Sequence, residues 1–187
     1  MTKRSKLETI TLGSGNLYSV AVPKSYPATL TDIKALCIDT NMLGRIKGGA
    51  SIEYSAEYYE ASDDSGVAKK TAMTAESATL KSGLITWNGE TFKKIIRTAR
   101  VADETGSRVT KIGGIGNEDK TKQLIIFAHN DNVDGDVYVT MTAQSKSGFT
   151  LQFAKDSETV LDAEFAAVSS DDEGTLITIY EDASTEA

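Results

Sequence analysis

The clearest periodic pattern in the chain lies in residues 88–100, NGETFKKIIRTAR. Apolar residues recur there at the spacing that gathers them on one face of a helix: Phe92, Ile95, Ile96 and Ala99. Asn88 suits the N-cap because its side-chain oxygen accepts a hydrogen bond from a backbone N–H of the first turn. Trp87 precedes it, where a hydrophobic staple reaches Phe92. The sequence therefore predicts one capped amphipathic helix, entered from a short strand over residues 84–87.

Alternation of apolar and polar residues, the period of a half-buried strand, recurs over residues 52–59, 137–144 and 161–167. The continuous apolar run at residues 124–128 predicts a central strand that is buried on both faces. Shorter stretches predict four further strands, over residues 17–22, 108–112, 149–153 and 176–180. We expect two antiparallel pairings, a ladder over residues 133–155 and a hairpin over residues 161–180. Residues 31–39 fit neither period and receive no assignment.

Eight to ten strands and one helix predict a mainly β fold. We expect two antiparallel sheets in a sandwich or partial barrel, with the helix flanking one open side. The length of 187 residues suits a single domain over residues 1–187. Polar and glycine-rich composition predicts a flexible N-terminal arm over residues 1–16, an exposed loop over residues 61–75 and a short C-terminal tail over residues 181–187.

The formal net charge of −7 weighs against nucleic-acid binding by phosphate neutralisation, which requires clustered Lys and Arg. The acidity has two readings: it maintains solubility, or it repels DNA in a channel that DNA must cross without sticking. From Asp156 onward the chain has ten carboxylates and no Lys or Arg. Asp162 and Glu164 alternate there with apolar residues, and if this part of the chain lines a channel, they are the residues that would face it. The alternative is that both are ordinary solvated positions.

The segment at residues 61–70, ASDDSGVAKK, places acidic residues before basic ones. One reading is an ordinary exposed loop. The other is a self-complementary contact in which Asp63 and Asp64 of one subunit meet Lys69 and Lys70 of another.

Catalytic motifs are scarce in this sequence. His129 is the sole histidine and Cys37 the sole cysteine, which excludes an intrachain disulfide, and neither GxSxG nor HExxH occurs. A hydrogen-bonded loop histidine is the expected state of His129, and a small buried residue that of Cys37. We therefore predict no enzyme activity and no cofactor.

Two further motifs resemble ligand sites without matching them. The glycines at Gly113, Gly114 and Gly116 do not form GxGxxG, so we expect a turn or a bulge. The residues 129–136, HNDNVDGD, resemble the start of a calcium loop, but the terminal glutamate is missing. We therefore read Asp134-Gly135 as a hairpin turn and predict no metal site. No apolar run approaches the ~20 residues of a membrane span, and we expect neither a membrane anchor nor a signal segment.

Several of these segments together resemble a known family. GLITWNG at residues 83–89, the basic helix and TARV at 98–101, with EYSAEYYE at 53–60 upstream and RVTKIGG at 108–114 downstream, are similar to tail tube (major tail) proteins of long-tailed phages and prophage elements. The resemblance covers residues 44–114, with a continuation in the later strands.

The resemblance implies a structural virion protein. Subunits would join edge to edge into a homohexameric ring, and rings would stack into the tail tube that delivers the genome, with contacts between rings made by the loop at residues 61–75. The implied partners are the protein itself, a tape-measure protein and a tail terminator, while DNA passes without specific binding. Such a protein is assembled in the bacterial host cytoplasm and resides in the virion tail. The arm at residues 1–16 and the loop would become ordered on assembly.

Two rival readings stay open at this point. One is a tail terminator or joining protein of the same fold, which forms one ring and stops. The other is a β-sandwich module that binds a receptor or carbohydrate. The second usually needs an aromatic platform, and the single tryptophan at a helix cap offers little for one.

Overall fold

The computed structural model describes residues 13–131, 135–146 and 148–182. Three predicted features lie wholly or partly outside these ranges: the N-terminal arm over residues 1–16, the hairpin turn at Asp134-Gly135, of which Asp134 is not described, and the tail, of which residues 183–187 are not described. Neither helix in the described part of the chain combines the length and apolar character that crossing a bilayer requires.

The described residues form ten strands and two α-helices. The strands are β1 (Asn16–Ala21), β2 (Met42–Gly44), β3 (Ile46–Ser62), β4 (Lys69–Leu84), β5 (Arg100–Glu104), β6 (Ser107–Lys111), β7 (Gln123–His129), β8 (Val137–Ser145), β9 (Leu161–Ala167) and β10 (Thr178–Glu181). The helices are α1 (Leu30–Leu36) and α2 (Gly89–Ile95). The predicted mainly β fold with antiparallel sheets and a flanking helix is confirmed.

Eight strands form one sheet in the order β2-β1-β7-β8-β9-β4-β3, and β10 pairs with β8 beside that path. The two ends of this order, β2 and β3, are separated in the chain by Arg45 alone. The Arg45 backbone is tied to the end of β4: its N–H donates to Thr86 Oγ1 at 2.7 Å, and its carbonyl accepts from Ile85 N at 2.9 Å. The sheet therefore curls round on itself as a partial barrel.

Helix α2 packs against the inner face of this curled sheet. Asn88 caps it, and the apolar side chains of Phe92, Ile95, Ile96 and Ala99 join a core drawn from most of the strands. The opposite face of β7 carries a second core with Leu124, Ile126 and Ala128, which α1 covers through Ile33. Because alternate residues of β7 enter different cores, both of its faces are buried, as the continuous apolar run predicts.

The two-stranded sheet β5-β6 lies beside α2. A Cβ placed on Gly89 would lie 3.2 Å from Val101 Cγ1 and 2.8 Å from Thr110 Oγ1. Glycine at the first helical position therefore allows the ribbon to approach the helix closely. The glycine cluster at residues 113–116 is a turn followed by a 3₁₀ segment, Ile115–Asn117.

Several sequence predictions are wrong. Residues 84–87 are not a strand, because β4 ends at Leu84 and the chain turns into the cap of α2. Composition also indicates a polar turn over residues 102–107, but these residues are not one turn, because β5 runs to Glu104 and β6 begins at Ser107. The helical periodicity extends to Ala99, yet the helix ends at Ile95, and Ile96 is extended.

The two expected pairings are also wrong. Residues 149–153 form no strand, and Phe149 instead packs edge-on against Phe92, with ring centroids 5.2 Å apart. Strand β10 pairs with β8 and not with β9, so residues 161–180 are not a hairpin. One helix is also added to the predicted count, since α1 occupies the stretch that received no assignment.

Candidate self-assembly surface

The hairpin of β3 and β4 extends past the rest of the sheet. Strand β4 pairs with β3 along nearly its whole length, whereas β9 pairs with β4 only over Thr79–Leu84. Every residue from position 57 to position 77 is exposed. We call residues 53–77 the arm. Because two strands without a third have little to bury, the arm contributes little to the core and is available to another molecule.

The turn of the arm is built by Asp63. Its N–H donates to the Ala68 carbonyl at 3.0 Å, and its Oδ1 accepts from Ala68 N at 2.9 Å. The Ser65 hydroxyl also donates to this carboxylate. These hydrogen bonds, first that from Ser65, hold the pKa of Asp63 below its usual value. Residues 61–75 are therefore not one loop: the turn spans residues 63–68, and the flanking residues belong to β3 and β4.

The four charged residues predicted to meet across subunits divide into two pairs. Asp63 is occupied by its own turn, and Lys69 Nζ donates to Glu60 Oε1 at 3.1 Å within the arm. Lys70 pairs with Ala61 through the backbone, but the side chains of Asp64 and Lys70 have neither a hydrogen bond nor an ion pair with any residue that the structure describes. Of the four residues in the predicted contact between subunits, only Asp64 and Lys70 have side chains that are available to another copy.

One face of the arm carries a strip of exposed apolar side chains beside the charged residues Glu60, Lys69 and Glu76. Tyr58 lies directly opposite Met73 in the β3-β4 register, and Tyr54 lies opposite Ala78, the first buried residue of β4. Tyr54, Tyr58 and Met73 are 53%, 61% and 50% exposed. The Tyr54 hydroxyl donates to Glu76 Oε2 at 2.8 Å, which raises the pKa of Tyr54. The core face thus continues onto the arm as an uncovered strip, which we call the arm strip: Tyr54, Ala56, Tyr58 and Met73.

The opposite face of β3 and β4, with the adjoining face of β9, carries four carboxylates beside Lys70 and Lys81 of β4. Asp162 is exposed and Glu164 half-buried on β9, while Leu161, Ala163 and Phe165 between and beside them are buried. In the strand register Glu164 lies beside Lys81 of β4, and their charged atoms are 3.8 Å apart. Glu53 and Glu57 alternate with the arm strip along β3, so they share this face. We call Glu53, Glu57, Asp162 and Glu164 the acidic face.

The residues around the helix cap are structural. The rings of Trp87 and Phe92 meet edge-on with centroids 5.3 Å apart, and Asn88 Oδ1 accepts from Thr91 N at 3.1 Å. Thr91 also donates to the Leu43 carbonyl, which fixes α2 to β2. Ile95 is fully buried and Ile96 is 7% exposed. These side chains stabilise the domain from which the arm extends, and they are not part of the arm.

The titratable side chains singled out in the sequence lie apart from the arm. His129 ends β7, where its Nδ1 is 2.8 Å from the Ser14 carbonyl and its buried Nε2 is 4.0 Å from Asp131 Oδ2. Cys37 is half-buried rather than fully buried as expected, and its partial burial raises the pKa of the thiol to about 11. Within residues 13–131, 135–146 and 148–182, no group of three His, Cys, Asp or Glu side chains is placed to hold a metal ion.

Sequence reasoning missed the exposed residues of the arm strip and a basic pair on the ribbon. Tyr54 and Tyr58 have the alternation of a half-buried strand, so the pattern indicated burial that the structure does not provide. Arg100 lies directly opposite Lys111 in the β5-β6 register, and both are exposed. The charge excess of residues 93–122, eight Lys or Arg against four carboxylates, was the available signal for this second surface.

Comparison with models of known protein families and with curated proteins gave no match to this chain.

Proposed function

We propose that this chain is the subunit of a phage tail tube: six copies join into a ring, and rings stack into a conduit for the genome. The observation that carries the proposal is the arm. It exposes an apolar strip and a charged turn on a domain whose core is already complete. An exposed strip of this kind is typical of a protein that binds a partner.

The edges of the sheet support assembly from identical copies. Strand β3 is 17 residues long, and within the described residues it pairs with β4 alone. Its other edge presents unpaired backbone N–H and C=O groups, which are a template for another strand unless they are blocked. Six such edges joined in one direction close into a ring, because a head-to-tail contact with the right rotation is cyclic.

The acidic face is suited to line a channel through which DNA passes. Four carboxylates on one face of β3 and β9 repel phosphate, so DNA passes such a wall without being retained. We place Asp162 and Glu164 on the lumen side for this reason. The chain would then act as a structural protein without catalysis or cofactor.

The wider setting of the proposal rests on the family resemblance. The tube would be assembled in the cytoplasm of the bacterial host, around a tape-measure protein, and closed by a tail terminator. The finished protein would reside in the tail of the virion.

Negative-stain electron microscopy of the concentrated protein tests this proposal. Tubes of stacked rings support it. Single rings that do not stack indicate a terminator or joining protein of the same fold. Monomers at every concentration, together with binding to a glycan or receptor, indicate a β-sandwich recognition module and contradict the proposal.

A further inference from the structure

A cleft separates the base of the arm from β10. Strand β7 occupies one edge of β8, so β9 and β10 both lie along the other edge, at Ala143–Ser145 and Val137–Thr140. Strand β4 pairs with β9 and then continues into the arm, yet among the described residues β10 pairs with β8 alone. The arm therefore diverges from β10, and a cleft of about 490 Å³ lies between them.

The walls of this cleft combine apolar side chains with two carboxylates. We call it the arm cleft, and its lining includes Tyr54, Glu76, Glu173, Leu176, Ile177 and Ile179. Ile179 is 61% exposed. The Tyr54 hydroxyl donates to Glu76, but neither Glu76 nor Glu173 forms an ion pair with a residue that the structure describes. The arm cleft is thus suited to a segment that carries both an apolar and a basic side chain.

Residues 3–12, KRSKLETITL, have this composition. We call them the basic segment, and they lie outside the described part of the chain. They contain the three cations Lys3, Arg4 and Lys6 and one carboxylate, in a chain whose formal net charge is −7. Leu7 follows the last of these cations directly. Opposite charges therefore favour contact between the basic segment and the arm cleft.

The basic segment joins the domain on the face of the sheet that holds the arm cleft. A Cβ placed on Gly13 would lie 3.7 Å from Cε1 of His129. His129 alternates along β7 with Ile125, which belongs to the core under α2, so its ring lies on the inner face. Ile179 lies on the same face, because its partner on β8 alternates with Met141 of that core. The basic segment therefore does not have to cross the sheet to reach the arm cleft.

The arm cleft is also within reach of the basic segment. His129, Val137 and Glu181 are consecutive partners across β7, β8 and β10. Three strand spacings, which lead from Gly13 past β10 into the arm cleft, amount to about 15 Å. Leu7 precedes Gly13 by six residues, and an extended chain spans up to about 20 Å over that length. Leu7 can therefore enter the arm cleft of its own copy.

We propose that the basic segment docks in the arm cleft of its own copy. Leu7 packs against Ile179, and Lys6 pairs with Glu173. Burial of the two apolar side chains supplies the driving force, and the ion pair fixes the register. The contact forms within a single copy, so it does not depend on the tail-tube proposal. It also differs from the family resemblance, which implies that this part of the chain becomes ordered on assembly.

Intrachain cross-linking in dilute monomer tests the docking. Leu7→Cys and Ile179→Cys are combined in a Cys37→Ser background, so that each chain carries two thiols. Mild oxidation should close a disulfide within one chain, seen as loss of free thiol and a mobility shift on a non-reducing gel without dimer. In the matched control Ile38→Cys, which follows α1 and is 51% exposed, replaces Ile179→Cys.

The outcomes separate this proposal from the tail-tube proposal. An intrachain disulfide that exceeds the Ile38 control several-fold supports the docking. Equal yields in the two pairs, or disulfides that form only between chains, overturn it. Either result leaves the tail-tube proposal as it stands, because that proposal is tested by assembly of the unmutated chain.

Charge exchange gives a second readout in the same assay. Lys6→Glu alone and Glu173→Lys alone should each lower the yield of the intrachain disulfide several-fold. The double exchange should restore the yield toward that of the parent pair. Glu104→Lys, at an exposed position at the end of β5, should leave the yield unchanged. Failure of the double exchange to improve on either single exchange contradicts the pairing of Lys6 with Glu173.

Discussion

Asn88 and Thr91 exchange two hydrogen bonds at the start of α2. Asn88 Oδ1 accepts from Thr91 N at 3.1 Å, and Thr91 Oγ1 accepts from Asn88 N at 3.2 Å. The exchange satisfies two backbone donors that a helix start would otherwise leave unpaired. Because Thr91 also donates to the Leu43 carbonyl, the cap joins α2 to the closing strand of the barrel.

Removing the cap should therefore weaken the fold. We expect Asn88→Ala to lower the free energy of unfolding by about 1 kcal/mol, measured by urea denaturation. Asn88→Asp keeps an acceptor at the same place and should stay close to the unmutated chain. Equal losses in both variants would show that the side-chain acceptor is not what stabilises the helix start.

The core under α2 should be far more sensitive than the surface beside it. Ile95 is fully buried, whereas Ile115 is 93% exposed. We expect Ile95→Ala to cost about 2–5 kcal/mol of stability and Ile115→Ala less than about 0.5 kcal/mol in the monomer. Thermal or urea unfolding of the two variants side by side provides the measurement. Similar costs at both positions would contradict the burial assigned to α2.

The turn of the arm should be sensitive to acid. The pKa of Asp63 is lowered in the fold, so its contribution is present above the unfolded pKa of about 3.9 and is lost as the pH falls through the folded pKa. We expect the NMR signal of the Ala68 amide, which donates to Asp63, to shift over that acidic range. Asp63→Asn should abolish this titration, whereas Asp64→Asn should retain it. Persistence of the titration in Asp63→Asn would assign it to another carboxylate.

The arm should become protected when copies assemble. Lys69 and Lys70 are exposed trypsin sites beside the turn. We expect trypsin to cleave there in dilute monomer and to cleave much more slowly in tubes. The same digestion tests the separate N-terminal segment, residues 1–16, because trypsin can cleave it at Lys3, Arg4 and Lys6. Resistance of both segments in monomer and tube alike would rule out ordering on assembly.

The acidic face should keep DNA from binding. We expect the double variant Asp162→Lys, Glu164→Lys to form tubes that retain DNA in a salt-dependent way. The matched control is Asp172→Lys, Glu173→Lys, which makes the same change of charge in the exposed turn near residue 172. Equal DNA retention by the two variants would show that Asp162 and Glu164 do not line the channel.

The pattern of apolar and polar residues predicted correctly those strands whose apolar side chains are buried in the core. The run at residues 124–128 and the alternation at residues 161–167 gave β7 and β9, because their side chains enter the core directly. Helix α1 was missed, although Thr29 and Asp32 have the spacing of a capping box and form one in the structure. The capping box alone did not predict the helix, because the apolar residues after it show no clear helical spacing.

Pairing and exposure were less accessible from the sequence. Strand β10 pairs with β8 rather than β9, because pairing depends on which edge is vacant in the assembled sheet. The helix ends at Ile95, and the Arg97 carbonyl just beyond it accepts from Asp119 N, a residue distant in sequence, rather than from a helical N–H. The exposure of Tyr58 likewise follows because, among the described residues, no third strand lies beside the arm, which alternation alone does not reveal.

End-on cryo-electron microscopy of the concentrated, untagged protein tests the central claim most directly. The account predicts class averages with six copies around an open channel, and side views in which these rings repeat along an axis. A single copy per particle at the highest attainable concentration would contradict it.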